Sequence, residues 1–287
     1  MKRLLLLLLL LVFLSPATCV ASRTLTDELG RTVVVPDHPH KLVCLAPSIV
    51  DDVYSLGAGS DVIAVSEYTT YPAEAAKKQT IGAPLNPSLE KIIALHPDLI
   101  LGTGGMNRIP AIDQLARYGI PVFMVNPHGI DGIHKSIASL GNALNRQSEA
   151  AALLRDLGAR EQAVRVRIHG KPLVRIFMPV WYDPIVTIGR HAFLTELIEV
   201  AGGSSITDDI AQEWPQVSLE VILARQPDAL LLIRNSKFSL AELANKPGWQ
   251  ALKPVREGRV FYVDQRIELP SPAAIYAMED LAKQLHP

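Results

Sequence analysis

Cysteine is almost absent from the 287 residues, which contain Cys19, Cys44 and no other. A disulfide framework is excluded, and Cys44, within Leu42-Val43-Cys44-Leu45, reads as a small core hydrophobe. No charge of one sign predominates, with 28 Lys and Arg against 29 Asp and Glu. Nothing in that balance recruits nucleic acid or anionic lipid. The chemical motifs are missing as well. There is no Gly-x-Ser-x-Gly, Walker loop, Gly-x-Gly-x-x-Gly after a strand or His-Glu-x-x-His. His38 and His40 flank Pro39, and His96, His128, His134, His169, His191 and His286 are scattered without metal-ligand spacing. No residue is therefore assigned a catalytic or metal-binding role, and no cofactor is implied.

One apolar run stands out, from Leu4 to Leu14, preceded by Lys2-Arg3 and followed by Ser15-Pro16-Ala17-Thr18-Cys19-Val20-Ala21. These are the three regions of a secretory signal peptide over residues 1–21. The run is shorter than the roughly 20 apolar residues that span a bilayer. Cleavage after Ala21 would export a soluble chain to the periplasm. Cys19 offers a lipid-anchored alternative, which Pro16 and Thr18 disfavour. Loss of Lys2 and Arg3 leaves 26 basic residues against 29 acidic ones. At 48% apolar and 20% charged, the rest is globular.

From Arg146 to Ile168 the chain is rich in helix formers, with Ser148 as a candidate N-cap and no proline before Pro172. Ala150, Leu153, Leu154, Leu157, Val164 and Ile168 follow helical spacing, interrupted at Arg160 and Glu161. A helix of about 20 residues is some 30 Å long and reaches from one small domain to another. On either side of it a segment recurs. Ser88-Leu89-Glu90 with Pro97-Asp98-Leu99 returns 130 residues later as Ser218-Leu219-Glu220 with Pro227-Asp228-Ala229. Two copies at so long a period argue for a duplicated lobe rather than a solenoid. An ordinary helix-to-strand junction met twice is the plainer alternative.

The remaining pattern is α/β. A hairpin is expected over Leu25 to Val35, turning near Gly30. Lys41 to Leu45, Asp61 to Val65, Leu99 to Leu101 and Val122 to Val125 read as strands, with a helix from Ser48 as cap to Leu56 and others after Pro72, from Ile109 and from Asp131. Beyond the long helix, Val174 to Phe177, Leu230 to Ile233 and Val260 to Val263 are strands and Phe193 to Val200 a helix. The alternation predicts two lobes, each a small, mainly parallel sheet flanked by helices: residues 22–145, a linking helix over 146–169, and residues 170–287. Ligands of such sheets bind beyond the carboxyl ends of the strands. Tyr68 and Tyr71, Trp181 and Tyr182, and Trp214 stand on the loops at those ends. They suit a large, flat, amphipathic ligand held between lobes.

Leu45-Ala46-Pro47-Ser48, Tyr68-Thr69-Thr70-Tyr71-Pro72, Asn86-Pro87-Ser88-Leu89-Glu90 and Trp214-Pro215-Gln216-Val217-Ser218-Leu219-Glu220 resemble the solute-binding proteins of ABC importers whose lobes are joined by a helical backbone. The likeness runs from about residue 24 to the end. It implies a class III periplasmic binding protein that delivers a ligand to a permease dimer without transforming it, as a monomer. Glu90 and Glu220 match the acidic pair that docks on permease arginines. Tyr68, Trp214 and Glu268 match contacts to a corrinoid, cobalamin above all. Two tryptophans of the corrinoid site have no counterpart, in Ile81-Gly82-Ala83-Pro84 and near Thr103, and Leu269 stands where an arginine is expected. Trp181 or Tyr182 would compensate. Haem-binding members place a tyrosine where Ala83 stands. A siderophore or haem receptor of the same fold is the alternative within this class, and a two-lobed extracytoplasmic enzyme the alternative outside it.

Overall fold

The computed structural model describes residues 21–234 and 239–287. The leader and Cys19 lie outside the described residues. The chain opens with the expected hairpin, β1 (Ser22–Thr26) pairing antiparallel with β2 (Thr32–Pro36) around Gly30 at φ 78°. Next come β3 (Leu42–Cys44), β4 (Val62–Val65), β5 (Gln79–Thr80), a small β6 (Gly82–Ala83) and β7 (Asn86–Pro87) ribbon, β8 (Leu99–Thr103) and β9 (Val122–Val125). Five of these make a parallel sheet in the order β5-β4-β3-β8-β9. Helices α1 (Pro47–Ser55), α2 (Leu89–Ala94), α3 (Ile109–Arg117) and α4 (Gly129–Ala143) flank it. Every residue of β3, β8 and β9 is buried, which explains their unbroken apolar runs.

A 22-residue helix, α5 (Gln147–Ile168), leads to the second lobe. There β10 (Val174–Phe177), a β11 (Pro179–Tyr182) and β12 (Ile185–Thr187) hairpin, β13 (Gly203–Ser205), β14 (Ala229–Ile233) and β15 (Val260–Val263) follow. The parallel sheet has the order β13-β10-β14-β15. Helices α6 (Phe193–Val200), α7 (Leu219–Arg225), α8 (Leu240–Ala244), α9 (Lys253–Glu257) and α10 (Pro272–Leu285) complete the lobe.

The duplication read from the sequence is structural. Helices α2 and α7 start at equivalent residues, as do β8 and β14, and both helices lead into a left-handed residue at matching positions, His96 at φ 47° and Gln226 at φ 46°. The aspartates that follow do the same work. Asp98 Oδ2 accepts from the backbone N–H of Lys41 at 3.0 Å, and Asp228 Oδ2 from that of Arg175 at 3.2 Å, each tying its strand to the first strand of its sheet.

The long helix lies against α4 on one side and α10 on the other. The residues that interrupt its apolar stripe are its anchors. Buried Glu161 lies 2.7 Å from His134 Nε2 of α4, while Arg160 donates to Glu279 of α10 at 2.7 Å and stacks over the Tyr276 ring at 4.8 Å. Closer to the cleft the lobes cap each other's helices. Asp51 of α1 accepts at 2.9 Å from the N–H of Ala273 in the first turn of α10. Glu196 of α6 accepts at 3.2 Å from the N–H of Ile130 in the first turn of α4. Each carboxylate satisfies an N–H that its helix leaves unpaired and meets the positive end of the helix dipole. Gly129 permits the second approach, because a Cβ there would strike the Glu196 carboxylate.

Local expectations needed correction at four places. Ala46, not Ser48, is the N-cap of α1, because Pro47 takes the first helical position, where a missing N–H costs nothing. Ser148 lies inside α5 and gives its hydroxyl to Glu149 at 2.6 Å, leaving Arg146 at the cap position. After Pro72 there is only a three-residue 3-10 turn, Ala75–Lys77. Strand β13 was not foreseen, its Gly-Ser-Ser carrying no β-branched or aromatic residue.

Helix α1 also buries Asp52, whose carboxyl oxygens find no hydrogen-bond partner among the described residues. Burial, then the neighbouring Asp51 and Glu28 carboxylates, raises its pKa well above the ordinary carboxylate range. Such a group destabilises the folded chain progressively as pH rises above the pKa of the unfolded chain, near 3.9. Asp52→Asn should therefore melt like the native protein near pH 3.5 and higher than it at pH 7, by about 2 to 4 °C for each kcal/mol recovered. Thermal melts of both proteins across that range check it.

Candidate functional site

The carboxyl ends of the two sheets face each other, because the loops leaving them touch. After β4, Ser66 to Pro72 forms a rim loop held by the Thr69 hydroxyl, which donates to the Ser66 carbonyl at 2.8 Å, and by the Glu67 N–H, which donates to the Gly82 carbonyl at 2.8 Å. Across the gap, the residues after β15 meet it. Gln265 Nε2 donates to Thr70 Oγ1 at 3.1 Å, and the Arg266 guanidinium stacks 4.9 Å from the Tyr71 ring. Tyr68, at the crest of the rim, is 75% exposed and held at φ 68°. A non-glycine residue in that region costs about 1 to 3 kcal/mol and persists where the surroundings enforce it.

The other rim is aromatic. Trp181 and Tyr182 stack with ring centroids 6.0 Å apart and planes within 7°, and the Lys246 ammonium sits 3.8 Å from the Tyr182 ring centroid. Trp181 Nε1 donates to the Asp183 carbonyl at 2.9 Å, which fixes the indole. The segment carrying Trp214 runs alongside β12. Thr187 N–H donates to the Pro215 carbonyl at 3.0 Å, and Val186 bridges Gln216. Trp181, Val186 and Gln216 lie opposite one another in register, and Trp214 stands on the bend two residues before Gln216. The two indoles are 51% and 46% exposed.

Glu268 ends the 3-10 turn of residues 265–268 beside Arg266. It opens to solvent, yet the protein atoms around it desolvate its carboxyl and raise its pKa, as happens on the wall of a recess. Glu90 and Glu220 stand apart from this group, exposed in the first turns of α2 and α7. Ser88 caps its helix by accepting from Lys91 N at 3.4 Å, whereas Ser218, at the equivalent cap position, turns its hydroxyl to Glu220 and lowers that carboxyl's pKa. The structure thus places Trp181 and Tyr182 together on β11, with the Trp214 segment alongside β12, sets Tyr68 on the loop after β4 of the other lobe, and puts Glu90 and Glu220 in the first turns of α2 and α7. Among the described residues no group of three or more His, Cys, Asp or Glu is placed to hold a metal ion.

Sequence reasoning missed Asn107. It is buried, its Oδ1 accepts from the Thr103 N–H at 2.8 Å, and its Nδ2 donates to the carbonyls of Leu45 at 3.2 Å and Pro84 at 2.9 Å. One amide thereby joins the ends of β3 and β8 to the β6–β7 ribbon. A polar residue following Gly104-Gly105-Met106 at a strand end was the available signal. Also missed were Asp51, Arg234, Gln265 and Arg266, which have partners in the other lobe or on a neighbouring strand, and Asp264, which is held by Arg266.

A braced pair of parallel sheets with an aromatic-rimmed gap between their carboxyl ends defines a bilobal solute-binding protein. The chain belongs to the Periplasmic binding protein family, whose profile matches residues 42–267. It is 30% identical over 272 residues to the ABC transporter substrate-binding lipoprotein YvrC of Bacillus subtilis, covering 92% of this chain and 85% of that one. It is 31% identical over 192 residues to the vitamin B12-binding protein of Yersinia pestis, covering 67% of this chain and 69% of that one. Among solved structures, the vitamin B12-binding protein BtuF of Vibrio cholerae superposes with a TM-score of 0.74 at 25% identity, over 86% of this chain and 96% of that one. The haem-binding protein RhuT of Roseiflexus superposes with a TM-score of 0.79 at 24% identity, over 86% and 98%. The family's members are binding components of ABC importers, and this chain shares their class III fold. No helix among the described residues is long and apolar enough to cross a membrane.

Asn107→Ala removes three buried hydrogen bonds. At about 1 kcal/mol each, a loss of about 2 to 4 kcal/mol in unfolding free energy is expected, and urea denaturation measures it.

Proposed function

We propose that the protein is a periplasmic receptor that captures a corrinoid, cobalamin in particular, between its lobes and hands it unaltered to an ABC permease dimer. In this reading the leader over residues 1–21 is removed, the mature chain acts as a soluble monomer, and residues 22–145 and 170–287 are the lobes joined through 146–169. The observation that carries it is the aromatic rim. Trp181, Tyr182 and Trp214 offer apolar faces on one lobe opposite Tyr68 on the other, with Glu268 as a polar contact at the edge. A flat macrocycle with polar side arms matches that surface. The relatives named as vitamin B12-binding proteins support the same choice.

Glu90 and Glu220 serve delivery. The helix dipole alone would favour one acid in a first turn, but the same acid, exposed at equivalent points of two duplicated lobes, presents a paired charge to a partner of matching symmetry. Arginines on a permease dimer are that partner.

A visible-absorption titration tests the ligand, since corrinoids and haem absorb distinctively. Cyanocobalamin should bind with one-to-one stoichiometry and no turnover, and haemin should not displace it. Trp214→Ala should weaken that binding by about 1 to 3 kcal/mol while the empty protein melts as before. An unchanged affinity with a lower melting temperature would make Trp214 a packing residue. The combined Glu90→Arg and Glu220→Arg variant should lose permease capture in a pull-down and keep its cobalamin affinity within about twofold, because rim charges govern association with a partner.

A further inference from the structure

Between the lobes, next to the aromatic rims, lies a recess of about 360 Å³ lined by Thr70, Tyr71, Arg234, Asp264, Gln265 and Arg266. That volume is at the small end of ligand sites, so it takes a substituent rather than a whole macrocycle. A larger recess of about 500 Å³, lined by Pro110, Asp113, Gln114, Arg117 and Tyr118, lies along α3 and draws on one lobe alone.

Charge is unevenly matched in the inter-lobe recess. Asp264 is saturated by its neighbour: Arg266 donates to it from Nε at 2.8 Å, from Nη2 at 3.2 Å and from the backbone N–H at 2.9 Å. This bonding to Arg266, with a smaller contribution from Arg234, keeps the Asp264 carboxyl ionised by lowering its pKa. Among the described residues that line the recess, two guanidinium groups face one carboxylate, and with Arg266 committed to Asp264 the positive charge left over is that of Arg234. Among the described residues its guanidinium is tied only to the Tyr262 carbonyl, at 3.4 Å. Its backbone is fixed, because the Arg234 N–H donates to the Val263 carbonyl at 2.8 Å and extends the β14–β15 pairing. The residue follows the carboxyl end of β14, next to the end of β15, and ligands of open parallel sheets bind beyond such strand ends. From the opposite lobe, Thr70 accepts from Gln265 and keeps its own hydroxyl proton to donate.

We infer that Arg234 recognises an anionic group of the ligand, of the phosphodiester class, in this recess. The inference rests on the corrinoid reading above and deepens it. A cobalamin carries one phosphodiester on its nucleotide arm, and among side arms that otherwise end in neutral amides it is the anionic group that a guanidinium would select. Guanidinium groups match phosphate oxygens in geometry as well as charge. Occupancy would engage both lobes at once.

Calorimetric titration of the full-length mature protein with cyanocobalamin and with dicyanocobinamide, which lacks the nucleotide arm, tests this. Arg234→Gln should weaken cyanocobalamin binding by about tenfold and leave cobinamide binding within about twofold, with an unchanged melting temperature. Inorganic phosphate added in excess should compete with cyanocobalamin and leave cobinamide binding unaffected, which separates occupation by a free ion from occupation by the ligand's own arm. An equal loss for both corrinoids, or no loss for either, would overturn the anion site and leave the corrinoid reading standing. Failure of the native protein to bind either corrinoid would overturn both.

Discussion

Two carboxylates, each capping a helix of the opposite lobe, set the relation between the halves of this molecule. Asp51 reaches from α1 to the start of α10, and Glu196 reaches from α6 to the start of α4. Helix ends buried between lobes would leave N–H groups without water or partner, and each carboxylate supplies the partner that lets the other lobe's helix end be buried there. The exchange is reciprocal, and it sits between the long helix behind and the aromatic rims in front. Burial raises the pKa of Asp51 even though the Ser271 hydroxyl, the Ala273 N–H and Arg266 all favour its ionised form, a measure of how dry the junction is.

The rest of the architecture is consistent with that constraint. Helix α5 is fastened on both sides by charged residues, Glu161 to His134 and Arg160 to Glu279, so it acts as a brace rather than a hinge. The rim loops touch across the gap at Thr70 and Gln265, which adds a contact between the lobes in front of the brace. The rims are pinned individually, Trp181 through Asp183 and the Tyr68 loop through Ser66 and Gly82.

Much of the fold could be read from local pattern. The repeat starting at Ser88 and Ser218 specifies helix, aspartate staple and strand in both lobes, and the backbone follows it residue for residue, even to the left-handed His96 and Gln226. Strand ends were legible for the same reason, since they depend on neighbours in sequence, whereas Trp181 and Tyr182, expected on a loop, lie on β11. The site's polar framework was not. Asp51 meets Ala273 across 222 residues, Gln265 meets Thr70 across 195, and Asn107 joins three segments whose proximity exists only after both βαβ crossovers are made. The adjacent acids Asp51 and Asp52 in an otherwise apolar helix were the visible clue to a buried junction. Arg160 and Glu161, taken as flaws in the α5 stripe, were its attachment points.

The claim on which this account depends is that the lobes are held by their mutual helix caps and by the brace, so that capture proceeds with little closure. Small-angle X-ray scattering of the mature protein with and without saturating cyanocobalamin measures this most directly. The account predicts a radius of gyration near 19 Å, roughly that of a compact chain of this length, and the same within error in both states. A clear contraction on adding the ligand would show that the lobes swing together and would contradict it.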